Sequence, residues 1–408
     1  MKEKMKEKMK EKMKEKINIV FYFLVIIYLL ISSSYFLFRL PTGDELLFIS
    51  NLNEIKELGI ITAIKNRICI PYMLISYPLS FVIKDYLALR FTNVFLTMGF
   101  IAYVNFRLKF RETIFYLLFF ISSTSYFYFG TNDALFSTSL AVFFIEVFLF
   151  LNDEIKELKL AFLALLVTFF TRELILVFVP VIFLSLVLLI KKGFKIKDFK
   201  LSLIFTIFMF LLNLPSIINN HKLSYDNKDV KEYKVNWVQR QYLAQLMVNQ
   251  GLIPNQSHPT WEQTEEYVDK NGENSLPKTT LESIFFDFRL TLKEFIKDFL
   301  EVLFMSFRQI GPVLLVTFFS IWIYFKGEKK EKNFPYPSVS LILMMLIFSF
   351  IIISFVEIRW LSPVYLLSIV YFSYMQKKKY LSQRFFQYSY LIFIVLDIYG
   401  LYKITLKF

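Results

Sequence analysis

The chain has 408 residues, is 56% hydrophobic and 19% aromatic with 50 Phe, and carries a formal charge of +13. That apolar load excludes an ordinary soluble domain, and the lysines and arginines fall mostly in short loops, so they read as a membrane-orientation signal and not as a nucleic-acid surface. A single cysteine, Cys69, excludes an intramolecular disulfide and a cysteine metal cluster, and His221 and His258 are too few and too far apart to define a site.

Residues 1–16 are four copies of Met-Lys-Glu-Lys, a low-complexity charged tail that reads as solvated and cytoplasmic, helical or disordered. Residues 17–39 are too long for a secretory signal and lack a small-residue cleavage site, so they read as a retained first span. Further apolar runs follow at 90–106, 112–129, 134–151, 160–171, 173–190, 200–218, 307–325, 336–356, 360–375 and 386–404. Runs near 20 residues match a hydrocarbon core about 30 Å thick, and lipid admits them only as helices. The run at 71–83 is short and holds Pro71 and Pro78; it reads as interfacial or re-entrant.

The positive-inside rule fixes the threading. With 71–83 outside the count and 160–171 crossing, the inner loops and their edges carry Arg107, Lys109, Arg111, Lys156, Lys159, Lys191, Lys192, Lys195, Lys197, Lys200, Lys326, Lys329, Lys330, Lys332, Lys377, Lys378, Lys379 and Arg384. Either alternative inverts the later loops and puts their lysines outside. The expected fold is therefore all-α and polytopic, with about eleven transmembrane helices, the N-terminus inside and the C-terminus outside. A module at 17–218 carries a first outer loop at 40–89, an outer loop occupies 219–306, and 307–408 holds the C-terminal spans. Within the second outer loop, helices are expected over about 232–250, closed by Gly251 and Pro254, and from Thr280. Thr279 and Glu282 have capping-box spacing there, and Leu281 to Phe299 show the apolar periodicity of a membrane-surface helix.

Charged residues collect at the outer helix ends. Pro41-Thr-Gly-Asp44-Glu45 follows the first span. Thr42 or Asp44 capping a short helix is one reading of it, and a pair of catalytic carboxylates is the other. Arg90 opens the second span, Asp133 precedes the fourth, Thr171-Arg172-Glu173 joins the fifth to the sixth, and Glu357-Ile-Arg359-Trp360 joins the ninth to the tenth. Each alone fits an interfacial, snorkelling residue. Together they put carboxylates beside arginine forks, which suit phosphate. Glu146 and Asp397 lie inside spans, where acids are costly and pairing or function accounts for them. Asn93, Asn105 and Asn213 read as interhelical hydrogen-bonding groups.

In order and sidedness these positions resemble the GT-C superfamily of integral-membrane glycosyltransferases, which includes protein O-mannosyltransferases and lipid A aminoarabinose transferases. The likeness rests on Asp44-Glu45, the Pro71-Tyr72-Met73-Leu74 segment, Arg90, Asp133, Thr171-Arg172-Glu173 and Glu357 to Trp360. It covers residues 17–218 well and 307–375 loosely. The chain departs from many members at Ile70, where they carry His, and ahead of the second span, where Phe81-Val-Ile-Lys84-Asp85-Tyr86 replaces a Phe-Gly.

The resemblance implies transfer of a hexosyl or pentosyl unit from a polyprenyl-phosphate donor to a lipid, glycan or protein acceptor, on the outer face of a bacterial inner membrane. By family position Asp44 is the base, with Glu45 second. Arg90, Arg172 and Arg359 become donor-phosphate groups, and Asp133, Glu173 and Glu357 become acceptor-binding or supporting acids. A phosphate leaving group requires neither nucleotide nor metal, and the resemblance leaves a divalent metal open. The other readings are a transporter or flippase using Glu146 and Asp397, and an outer-leaflet polymerase of lipid-linked sugars.

Overall fold

A computed structural model of the chain describes residues 2–226, 233–326, 335–351 and 356–407. Among these the fold is all-helical, 79% helix without strands. The first ten helices are α1 (Lys2–Phe38), α2 (Asp44–Leu58), α3 (Ile60–Lys65), α4 (Ile70–Ser76), α5 (Asp85–Leu108), α6 (Glu112–Ser123), α7 (Asp133–Leu151), α8 (Lys159–Thr171), α9 (Val179–Lys192) and α10 (Lys200–Asn220). The rest are α11 (Trp237–Asn249), α12 (Trp261–Asn271), α13 (Thr280–Phe286), α14 (Phe288–Ile310), α15 (Pro312–Lys326), α16 (Tyr336–Phe350), α17 (Ser362–Lys377) and α18 (Gln383–Thr405).

Six segments among the described residues are long and apolar enough to cross a membrane: Lys16–Phe38, Asp85–Leu108, Asp133–Leu151, Glu173–Lys192, Lys197–Asn220 and Gln383–Thr405. A seventh is added if α14 and α15 count as one broken span, interrupted where Gly311 takes a positive φ of 53° ahead of Pro312. The other expected spans appear as the shorter helices α6, α8, α15, α16 and α17, of 12 to 16 residues. The 71–83 stretch forms α4 and a 3-10 turn at Tyr77–Phe81, both too short to cross.

The chain divides into two compact units. The first comprises Met1–Asp226, Ser306–Leu341 and Arg359–Phe408; the second comprises Asn227–Met305 and Ile342–Ile358. The second unit takes 227–305 of the loop expected at 219–306, while 219–226 and Ser306 belong to the first, and it gains 342–358, which hydropathy does not reveal.

In the first unit α7 is central and packs against α5, α8, α9 and α17. It is 89% buried, against 28% for the first span, so its apolar faces meet protein all round. Small hydroxyl residues permit close approach: Thr168 on α8 donates to Ser139 on α7 at 2.8 Å. α1 packs on α6 and α18, and Ser32 donates to the Ser122 carbonyl at 3.1 Å.

The two ends of α7 lie roughly 28 Å apart at 1.5 Å per residue. At its Leu151 end, Glu146 is fully buried and paired with Arg107 at 2.7 Å, with Tyr103 donating at 2.6 Å. Nearby, Lys378 pairs with Glu154 at 2.8 Å, Lys192 pairs with Asp153 at 2.7 Å, and Lys377 caps the Leu108 carbonyl at 2.6 Å. Glu146 therefore neutralises an arginine at a helix end and is not an isolated intramembrane acid. Asp397 on α18 is fully buried.

The second unit is built on Val235, Tyr242, Leu243, Val268 and Leu276. α11 starts from a capping box in which Asn236 and Gln239 bond reciprocally; Glu232, in the start expected from sequence, lies outside the described residues. α12 starts from a second such box at Thr260 and Gln263, in a stretch too polar to show periodicity. Thr279 caps α13 as the spacing implies, but the helix breaks at Asp287, whose backbone is extended. α14 then buries Thr291, Glu294 and Asp298 and exposes Leu292, Ile296, Leu300 and Phe304, an inside-out pattern that suits the expected membrane-surface position.

Candidate functional site

The site is built at the Asp133 end of α7, where α1, α2, α5 and α8 also begin or end. Gly43, with φ 61°, turns the chain into α2 and is its N-cap, with no side-chain capping bond. That decides the question the sequence left open: neither Thr42 nor Asp44 caps the helix. Asp44 and Glu45 fill its first turn, where the helix dipole favours acids, and point to different partners.

Glu45 turns inward and is 2% exposed. Its carboxylate takes both prongs of Arg90, Nε to Oε1 at 2.8 Å and Nη2 to Oε2 at 2.7 Å. The Gly130 amide also donates to Oε1, at 2.6 Å. Arg90 is itself fully buried, and its Nη1 donates to the Leu37 and Arg39 carbonyls at the end of α1, at 2.9 and 2.6 Å. A guanidinium satisfied in this way has no face left for a donor phosphate. Glu45 and Arg90, expected as a second base and a donor-binding arginine, instead form a clasp joining α1, α2, α5 and the turn before α7. Gly130 is required at that turn, since a Cβ there would stand 2.7 Å from Leu89 Cβ. Asn93 braces the same turn by donating to the Thr131 carbonyl at 2.9 Å.

Asp44 turns outward, with its side chain 43% exposed. Its Oδ2 accepts from Arg359 Nη2 at 3.2 Å. The other prong of Arg359, Nη1, donates to Asp133 Oδ2 at 3.0 Å, and Thr131 Oγ1 donates to the same oxygen at 2.9 Å. Arg172 Nη1 pairs with Asp133 Oδ1. Arg172, Asp133, Arg359 and Asp44 thus form a continuous chain of alternating charge, buried at Asp133 and open at Asp44. Arg172 reaches Asp133 because it is extended, with φ −159° and ψ 137°, directly between α8 and the 3-10 turn Glu173–Phe178 that leads into α9.

Glu173 is 57% exposed and lies 3.9 Å from Arg67. Glu357 falls in the second unit, where its charge acts on His258; burial pushes that imidazole down, Arg240 adds to the effect and Glu357 opposes it.

Two groups at the site escape a reading of the sequence. Asn132, just before Asp133, donates to the Thr171 carbonyl at 3.1 Å and to Asp226 Oδ2 at 2.7 Å. Asp226 arrives because residues 221–226 fold back on the stretch between α3 and α4 and on the end of α8. Ser224 accepts from the Ile68 amide at 2.9 Å and donates to the Ile68 carbonyl at 2.7 Å, and Tyr225 donates to the Phe169 carbonyl at 2.7 Å. Arg67, with φ 73°, is the other. Cys69 donates to the Thr171 carbonyl at 3.2 Å, and burial pushes its thiol up, away from nucleophilic chemistry. Among the described residues no three His, Cys, Asp or Glu side chains gather as metal ligands.

Comparison of the chain with family models, with curated proteins and with solved structures finds no match. The arrangement itself supplies two guanidinium groups and a half-exposed carboxylate within one hydrogen-bonded chain. That combination suits capture of an anion beside a group able to accept a proton.

Proposed function

We propose that the chain is a glycosyltransferase of the GT-C type. It would move a sugar from a polyprenyl-phosphate donor to an envelope acceptor on the outer face of a bacterial inner membrane. The observation that carries this reading is the pairing of Arg359 with both Asp44 and Asp133, with Arg172 on the far side of Asp133. The proposal includes eleven spans, in which the five shorter helices cross beside the six long ones, with the N-terminus inside. It is supported by the lysine pairs at the Leu151 end of α7 and the arginine–aspartate chain at its Asp133 end.

In this reaction the acceptor hydroxyl attacks the anomeric carbon and the bond from that carbon to the phosphate oxygen breaks. Asp44 takes the hydroxyl proton, and the departing lipid phosphate gathers charge. Arg359 and Arg172 offset that charge, which is worth about 10²–10³ in rate for a single donor of the oxyanion-hole kind. Asp133 holds both guanidinium groups in register, and the Glu45–Arg90 clasp fixes the backbone that carries Asp44.

Reconstituted Asp44→Asn and Asp44→Ala proteins, given a labelled polyprenyl-phosphate sugar and cell-envelope acceptors, should lose transfer. Full transfer by both would remove Asp44 as the base. The competing reading, a carrier or flippase of lipid-linked sugars, has one observation in its favour: Asp397 is fully buried with neither carboxylate oxygen accepting a hydrogen bond among the described residues. A carrier would depend on Asp397 and tolerate Asp44→Asn; the transferase has the opposite dependence.

A further inference from the structure

A groove of about 470 Å³ opens between α8 and α10, toward the end of α8 remote from Asp133. Its walls are Phe162, Leu165 and Leu166 from α8, and Phe199, Leu203 and Thr206 from the helix that follows. The volume lies within the range of ligand pockets, and the lining is almost wholly apolar. Phe162 and Phe199 stack at 3.9 Å within its wall. Outward, Leu201, Leu203 and Ile204 are 47 to 61% exposed on a segment apolar enough to cross a membrane, so hydrocarbon surrounds the opening.

Two polar features break the apolar wall. Ser202 lines the groove and is 3% exposed, and its hydroxyl has no hydrogen-bond partner among the described residues. Such a buried donor costs free energy unless something accepts from it. Lys200 also lines the groove, at its mouth, and Lys195, Lys197 and Lys200 are exposed within six residues of one another. Of the nearby acids, Glu157 pairs with Lys159 at 2.8 Å, and Asp198 is buried, its Oδ2 accepting from the Leu158 amide at 3.3 Å and its Oδ1 without a hydrogen-bond partner among the described residues, so one carboxylate stands against three lysines. The rim is left with a net positive charge at the level where an apolar wall meets a polar helix end.

We infer that this groove binds one anionic glycerophospholipid, with an acyl chain along the apolar wall, an ester carbonyl accepting from Ser202 Oγ, and the headgroup phosphate against Lys200 and Lys197. Basic pockets between membrane helices recognise headgroups in this way. The charge chooses the occupant: a second protein helix would fill the apolar wall but leave the lysine rim and the buried hydroxyl unanswered. The inference does not depend on the proposed transferase activity.

The test uses the full chain purified in a mild detergent and native mass spectrometry, with phosphatidylglycerol and phosphatidylcholine of identical acyl chains as probes. Wild type should retain phosphatidylglycerol at least fivefold more than phosphatidylcholine. Lys197→Glu/Lys200→Glu should bring the ratio close to one, since each lysine near a headgroup is worth about fivefold. Leu203→Trp, which fills the groove from an exposed position, should abolish retention of both lipids. Lys197→Gln/Lys200→Gln serves as the gentler pair if the charge reversal spoils the elution profile. Equal retention of the two lipids by wild type, or an unchanged ratio in either lysine pair, overturns the inference. Displacement of phosphatidylglycerol by equimolar polyprenyl phosphate overturns it too, by assigning the groove to a lipid-linked phosphate.

Discussion

Arg359 holds Asp44 and Asp133 at once, Nη2 to the first at 3.2 Å and Nη1 to the second at 3.0 Å. The two guanidinium prongs span two acids that start different helices, and only a planar fork of fixed geometry does this. Arg359→Lys should therefore behave like Arg359→Ala, each lowering sugar transfer about 10²–10³-fold while leaving the elution profile of the protein unchanged. Transfer by the lysine variant within a few-fold of wild type would show that a point charge suffices and that the bridge is incidental.

The Glu45–Arg90 clasp should matter to the fold and much less to the chemistry. Removing one partner of a buried pair strands a charge and costs about 3–5 kcal/mol, whereas an exposed pair is worth at most about 1 kcal/mol. Thermal unfolding in detergent should thus show Glu45→Ala strongly destabilised and Asp44→Asn close to wild type. The double variant Glu45→Leu/Arg90→Met should regain much of the loss. Equal melting of Glu45→Ala and Asp44→Asn would contradict the assignment of separate roles.

Gly130→Ala tests the same corner without touching a charge. The added methyl would meet Leu89 Cβ at 2.7 Å and Glu45 Oε1 at 3.3 Å. Overpacking of this kind costs about 1–3 kcal/mol. Because the displaced group carries the turn into Asp133, transfer should fall together with the melting temperature. Leu89→Ala in the same chain should restore neither, since it keeps the Cβ that the new methyl meets.

The His258 contribution to the second unit should weaken in acid, while the Asp298 carboxyl, pushed up to about 7 by burial, works in the opposite sense. Burial holds the folded His258 below its ordinary value, helped by Arg240, so the unfolded chain binds the proton first. The His258 contribution is then complete above about pH 6.5, the unfolded value, and falls as the pH drops from there toward the folded value. Amide exchange over 235–276, taken relative to the intrinsic rate at each pH, should accelerate more in wild type than in His258→Gln between about pH 7 and about pH 5.5. An identical acceleration in the variant would place the sensitivity elsewhere.

Much of the site is legible in the chain because loop charge sorts the helix ends into two groups. Once the lysine-rich ends are set inside, Asp44, Asp133, Arg172 and Arg359 must share the other side, and the structure joins all four. Their pairing was not legible. Arg359 lies 226 residues from Asp133 and 315 from Asp44, and no local rule reaches that far. Nor does sequence distinguish adjacent acids, yet Glu45 is buried in a clasp while Asp44 is half-exposed. Asp226 was missed because a short polar stretch after α10 reads as the start of a loop, and only the bonds of Ser224 and Tyr225 bring it back. The hydropathy of α14 announced its exposed face, but nothing in the pattern announced the break at Asp287.

The extended Arg172 and the distant Arg359 both reach back to Asp133 from later in the chain. During synthesis Asp133 would acquire Arg172 within 39 residues, so half of the charge chain can assemble while the first unit is still emerging. Arg359 comes only after the whole second unit has been made. A polypeptide released early would carry a closed Glu45–Arg90 clasp and a paired Asp133, but Asp44 would lack this guanidinium. Completion of the charge chain would thereby wait for the second unit, and products truncated before Arg359 would fold around α7 without it.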